Sequence, residues 1–184
     1  VIAGGTIVAV GENLDAKTVI DATGCIVSPG FVDLHTHLRE PGREEAETIE
    51  TGTRAAALGG YAAVVAMPNT EPTIDSAEVV RDVMAMAVGK SAAVYPSGAI
   101  TVGRQGERLA PMAEMARAGV RLFTDDGSGV QDAALMRRAL EYAKGLGVTI
   151  AQHCEDNALA AGGAMHEGAW SARLGIPGQP SSAE

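Results

Sequence analysis

Rings and thiols are scarce in this sequence, and so is positive charge. Aromatic residues make up 3% of the 184 residues, so Ala, Val, Ile, Leu and Met must build the core. Only two cysteines occur, Cys25 and Cys154, far apart and in no CxxC spacing. That excludes a disulfide framework and fits a reducing, cytoplasmic setting. Cys154 follows His153 directly and on a strand would point away from it, so it reads as a packing residue. Lys and Arg total 14 against 23 Asp and Glu, a net charge of −9. This balance argues against nonspecific nucleic-acid binding and for a soluble acidic protein. No apolar run approaches about 18 residues and no signal peptide is visible, so no membrane span is expected. An initiator methionine is missing too, and Ser181-Ser182-Ala183-Glu184 reads as the start of a helix. Both ends look cut, and a piece of a longer chain is expected.

Aliphatic residues and glycine are abundant instead. Hydrophobic residues reach 46%, enough for a sizeable core. The 23 glycines point to tight turns and close helix–sheet contacts.

Residues 1–28 read as part of a small β domain, with short alternating stretches that cannot bury a core alone. From Pro29 the rhythm changes to strand and helix in turn. Strands are expected at 31–38, 61–67, 91–95, 120–124 and 148–151. Helices are expected at 48–58, from Asp75 or Ser76 to about 88, and at 108–118, 132–145 and 156–166. In the fourth helix Leu135, Met136, Ala139, Leu140, Ala143 and Leu146 follow helical spacing. Five βα units imply an α/β fold with a parallel sheet and helices outside. His35, His37, Asn69, Asp125, Asp126 and His153 all fall at the carboxyl ends of different strands. That placement favours a (β/α)8 barrel over an open doubly wound sheet, because a barrel gathers those ends around one mouth. A closed barrel takes about 250 residues, so residues 29–184 would be its first part, about five of the eight units.

The stretch from Pro29 to Gly42, PGFVDLHTHLREPG, carries the clearest chemistry. Residues two apart on a strand share a face. Phe31, Asp33, His35 and His37 then face one way, and Val32, Leu34, Thr36 and Leu38 the other. The stretch reads as a buried strand, and one that ends in two imidazoles suits a metal site at a barrel mouth. His35, His37, His153 and one carboxylate of Asp125-Asp126 form a candidate set, since zinc takes imidazole and carboxylate ligands and a catalytic site keeps a place for water. A carboxylate has two oxygens and can bridge two ions, and a water between two cations loses its proton near neutral pH. Asp33 fits either the orientation of a ligand imidazole or a simple buried polar contact.

PGFVDLHTHLREPG, AMPNT, LFTDDGSGVQ and AQHCED together resemble the dihydroorotase family of the bacterial class I type, within the amidohydrolase superfamily. The resemblance covers nearly the whole chain. It implies a metal-dependent-hydrolase barrel flanked by a small β domain, and hydrolysis of the cyclic amide of dihydroorotate. In reverse it implies cyclisation of N-carbamoyl-aspartate on the route to UMP. It implies two Zn2+ per site, with His35 and His37 on the first ion, Asp126 bridging and His153 on the second. His37, Arg39 and Asn69 match positions that hold the substrate, the last two at its carboxylate. It implies a homodimer or a complex with aspartate transcarbamoylase as the assembly. A further histidine and the general-base aspartate would lie beyond residue 184, which would leave this chain alone inactive; His166 lies too early, and on a helix, to supply that histidine. Related cyclic amidohydrolases bridge their metals with a carbamylated lysine on the fourth strand. That strand, VRLFTDD, has none, which makes an allantoinase or dihydropyrimidinase the weaker alternative. An inactive dihydroorotase-like partner of aspartate transcarbamoylase would have degraded ligands, and these are intact.

Overall fold

The computed structural model describes residues 1–184. The first residues form a small antiparallel hairpin, β1 (Ile2–Ala3) and β2 (Thr6–Ile7). No regular element follows until β3 (Phe31–Thr36). Then come α1 (Ile49–Leu58), β4 (Tyr61–Ala66), α2 (Ala77–Met86), β5 (Ala93–Pro96), α3 (Met112–Arg117), β6 (Leu122–Phe123), α4 (Ala133–Leu146) and β7 (Thr149–Ile150). The chain closes with α5 (Asn157–Ala160), β8 (Met165–His166), α6 (Ala169–Leu174), β9 (Gly178–Gln179) and a 3-10 turn, Ser181–Ala183. No helix is long and apolar enough to cross a membrane.

Strands β3, β4 and β5 pair in parallel, with Phe31 opposite Tyr61 and Ala66 opposite Pro96. β6 and β7 form a second parallel pair, with Leu122 opposite Thr149. A parallel bridge between Gly98 and Phe123 joins the two sets, so five strands run side by side in chain order.

Capping explains where the helices begin. Thr48 accepts a hydrogen bond from Thr51 N–H ahead of α1, and Glu40 reaches across to accept from Ile49 N–H at 2.7 Å. Ser76 caps α2 and Asp132 caps α4, satisfying amides that the first turn leaves open. Asp75 turns elsewhere and accepts from Gly103 N–H. Gly147, with φ +67°, ends α4 in the left-handed conformation that glycine adopts without strain.

The core lies between this sheet and its helices and includes Ile49, Val64, Val80, Ile100, Met112, Met115 and Phe123. The opposite face of the sheet is open. Phe31, Val32 and Leu34 on the edge strand β3 are exposed, contrary to the expected buried strand. Leu34, Val65, Tyr95, Leu122 and Thr149 line an apolar hollow of about 340 Å³ on this face.

Four expectations change. The third helix starts at Met112 because Thr101 pairs with Leu109 and Pro111 disfavours helix at the residue before it. The fifth helix stops at Ala160, ahead of Gly162-Gly163, two residues that weaken any helix. His166 then lies on the short strand β8 rather than on a helix, opposite Gln179. In α4, Ala139 and Ala143 are buried while Leu140 is exposed, so the apolar stripe is narrower than its spacing suggests.

Candidate metal centre

The carboxyl ends of the parallel strands meet at one place. His35 sits near the end of β3 and His37 just beyond it. Backbone pairing continues past the strands in step: Met67 N–H donates to Thr36, Ser97 N–H to Ala66, Thr124 N–H to Gly98 and Ala151 N–H to Phe123. This staircase brings the segments that carry Asn69, Asp126 and His153 to the same level as the two histidines.

Asp126 is the hub. Its Oδ1 lies 3.2 Å from His35 Nε2 and 3.9 Å from His153 Nδ1, and its Oδ2 lies 3.6 Å from His37 Nε2. The ligand atoms of His35, His37 and Asp126 all fall within 4.8 Å of one another. Ligands at zinc-bond lengths of 2.0–2.2 Å stand about 3.2–3.6 Å apart around a tetrahedral ion, and the two histidine–Asp126 distances, 3.2 and 3.6 Å, fall in that range. His153 stands slightly wider, beside the same carboxylate. The trio His35, His37 and Asp126 thus fits a divalent metal, and His153 stands outside it, facing the same Asp126 Oδ1 as His35.

Burial is uneven across the site. The Asp126 side chain is 8% exposed while that of His35 is 57% exposed, so a sheltered carboxylate faces an open mouth. The His35 and His37 rings meet edge to face, with centroids 5.2 Å apart. Asp33 accepts from the backbone N–H of His35 at 3.0 Å, so it steadies the strand end and not a ring.

Asp125 has a different task. It is fully buried and accepts from Ile100 N–H (2.8 Å), Thr101 N–H (3.0 Å) and the Thr101 hydroxyl. Its oxygens are consumed in tying the loop after β5 to the end of β6. Arg104 strengthens the same junction by donating to the Asp126 carbonyl at 2.5 Å.

Arg39, with φ +60°, follows the histidines in a left-handed turn. Neither nearby acid engages it. Glu40 accepts from Ile49 N–H and Glu44 from Gly42 N–H, the latter bond holding the Glu44 carboxyl below its usual range. Asn69 is placed at the site but occupied, with Oδ1 3.0 Å from His37 Nδ1 and Nδ2 3.3 Å from Asp126 Oδ2. Cys154 is exposed and lies outside any strand, not packed in the core.

Sequence reasoning missed Gln152 and Gln131. Gln152 pairs with both the N–H and the carbonyl of Val130. Gln131 donates to the Glu155 carbonyl and accepts from Asn157 N–H. Together they clasp the loop after Asp126 to the segment around His153. Their only sequence signal is proximity to the candidate ligands.

The "Dihydro-orotase-like" family model matches residues 24–184. The dihydroorotase of Mycobacterium tuberculosis (strain ATCC 25618 / H37Rv) is 55% identical over 187 residues, covering 98% of this chain and 43% of that protein. The dihydroorotase of Pelotomaculum thermopropionicum is 52% identical over 172 residues, covering 94% of this chain and 40% of that one. The chain therefore spans about two-fifths of the length of these curated relatives. Among solved structures, the L-hydantoinase (dihydropyrimidinase) from Arthrobacter aurescens superposes with a TM-score of 0.68 at 20% identity, over 80% of this chain and 34% of that one. At that identity the likeness speaks for the fold alone: this chain has the fold of part of a (β/α)8 barrel.

Proposed function

The chain belongs to the dihydro-orotase-like family, and on that premise we propose that it forms part of a zinc-dependent dihydroorotase. The enzyme would interconvert N-carbamoyl-L-aspartate and L-dihydroorotate in pyrimidine biosynthesis, in the cytoplasm. Residues 1–28 would belong to a small β domain beside the barrel. The enzyme would work as a homodimer or with aspartate transcarbamoylase.

One observation carries the reading: a sheltered carboxylate, Asp126, turns its two oxygens to three imidazoles from two strand ends. His35 and His37 would hold one ion, His153 the other, and Asp126 would bridge them. The chemistry supplied by such ions is activation of water and polarisation of the amide carbonyl. A lysine bridge has no counterpart, since Lys17 lies ahead of β3, Lys90 is paired with Glu50 at 2.9 Å and Lys144 lies on α4.

The remaining steps belong to side chains. The Arg39 guanidinium, free of Glu40 and Glu44, would take the substrate carboxylate in a forked contact, with Asn69 and His37 beside it. Fixing the ring in this way lowers the entropy cost of reaction. The proton transfer to the ring nitrogen needs a general acid–base group, which we assign to an aspartate outside this chain.

The test is activity of the full-length enzyme on dihydroorotate, a hydantoin and allantoin, with bound zinc quantified. Turnover of dihydroorotate should dominate and zinc should be present. Preference for the hydantoin would move the protein to another cyclic amidohydrolase, and absence of metal to an inactive partner.

A further inference from the structure

The amide of Asn69 is engaged at both ends, and the direction of its hydrogen bonds can be worked out. The NH2 group of Asn69 donates to Asp126 Oδ2 at 3.3 Å. The carbonyl Oδ1 is left for His37 Nδ1, at 3.0 Å. An amide oxygen only accepts, so Nδ1 must carry the hydrogen. An imidazole that ligates a metal through Nε2 keeps its ring hydrogen on Nδ1, where this amide oxygen accepts it. Nε2 lies 3.6 Å from the same Asp126 Oδ2 that Asn69 contacts.

The amide is also held in place. Its turn is closed by Ile74 N–H donating to the Pro68 carbonyl and by the Thr70 hydroxyl donating to Pro72. Glu71 N–H donates to the Pro41 carbonyl, tying the turn to the loop that follows the histidines. Asn69 therefore meets His37 and Asp126 from a fixed base.

We propose that Asn69 is a positioning residue of the metal centre, setting the His37 tautomer and steadying Asp126 before any substrate arrives. The inference rests on the metal-centre reading above and adds to it. An amide spent on a ligand pair is not free to serve the substrate alone. Outer partners of this kind fix ring orientation and ligand basicity, and their loss typically weakens metal binding by about 10–100-fold.

The test is zinc affinity of the full-length enzyme by chelator competition without substrate, with the visible spectrum of the Co2+-substituted form as a second readout. Asn69→Ala should bind zinc about 10–100-fold more weakly and show an altered Co2+ spectrum. Asn69→Ser keeps a small polar side chain in the turn but cannot span both partners, so a folded Ser variant should show the same loss. Wild-type zinc affinity and spectrum in either folded variant, with only KM raised, would reduce Asn69 to a substrate contact and overturn the proposal. A wild-type enzyme that binds no zinc would overturn the metal-centre reading itself.

Discussion

Two adjacent aspartates at the end of β6 have opposite fates, and the difference lies in what each faces. Asp125 points inward, where the amides of residues 100 and 101 need acceptors; Asp126 points at imidazoles. Asp126→Ala should leave the fold in place and lose zinc, since it removes oxygens shared by the candidate ligands. Asp125→Ala should leave two buried amides without an acceptor, a cost of about 2–6 kcal/mol at about 1–3 each. That corresponds to a melting temperature lower by roughly 4–24 °C for a domain of this size. Calorimetry and metal analysis of the two variants should separate these effects; equal zinc loss with equal destabilisation would mean that the aspartates act as one unit. His35 and His37 were legible because an apolar alternation ends in two rings. The double engagement of Asn69 was not, because its partners lie 32 and 57 positions away and only the folded sheet brings them close.

At the scale of elements, most of the strand–helix rhythm could be read from periodicity and caps, as with Ser76 and Asp132. The misses fall where pairing outside the main sheet competes with helix. Residues 109–110 pair back to 100–101, and 165–166 pair with 178–179; no local pattern announces such contacts. The clasp between the β6 and β7 loops belongs here as well. Gly129, with φ +62°, sits so close that a side chain there would come within 2.7 Å of the His153 carbonyl. Gln152 completes the join through both polar groups of Val130. Gln152→Ala should free the Val130 amide and loosen the two loops while the rest of the sheet holds. Hydrogen exchange should then speed up at Val130 and around His153, and not in β4 or α2. Unchanged protection at Val130 would show that the amide pair does not hold the loops together.

For the molecule as a whole, the decisive fact is that only one face of the sheet is covered. Just 32 of 184 residues are buried, and Val32, Leu34 and Tyr95, on the other face, are 54%, 67% and 58% exposed. Contiguous apolar surface of this kind marks a place that other protein covers, and β3 at the sheet edge presents backbone groups open to pairing. The likeness to a hydantoinase over 34% of that chain and the two-fifths coverage of the relatives agree with a barrel whose remaining units close this face. Binary pattern alone could not foresee the exposure, because alternation assigns a residue to a face without saying what lies against it. Residues 1–184 expressed alone should therefore bind a hydrophobic dye strongly and self-associate as concentration rises. A chain extended to the full length of the relatives should bind little dye at the same concentration. Weak dye binding by residues 1–184 as a monomer would mean that the sheet closes on itself, and the apolar hollow beside Leu34 and Tyr95 would then need another explanation.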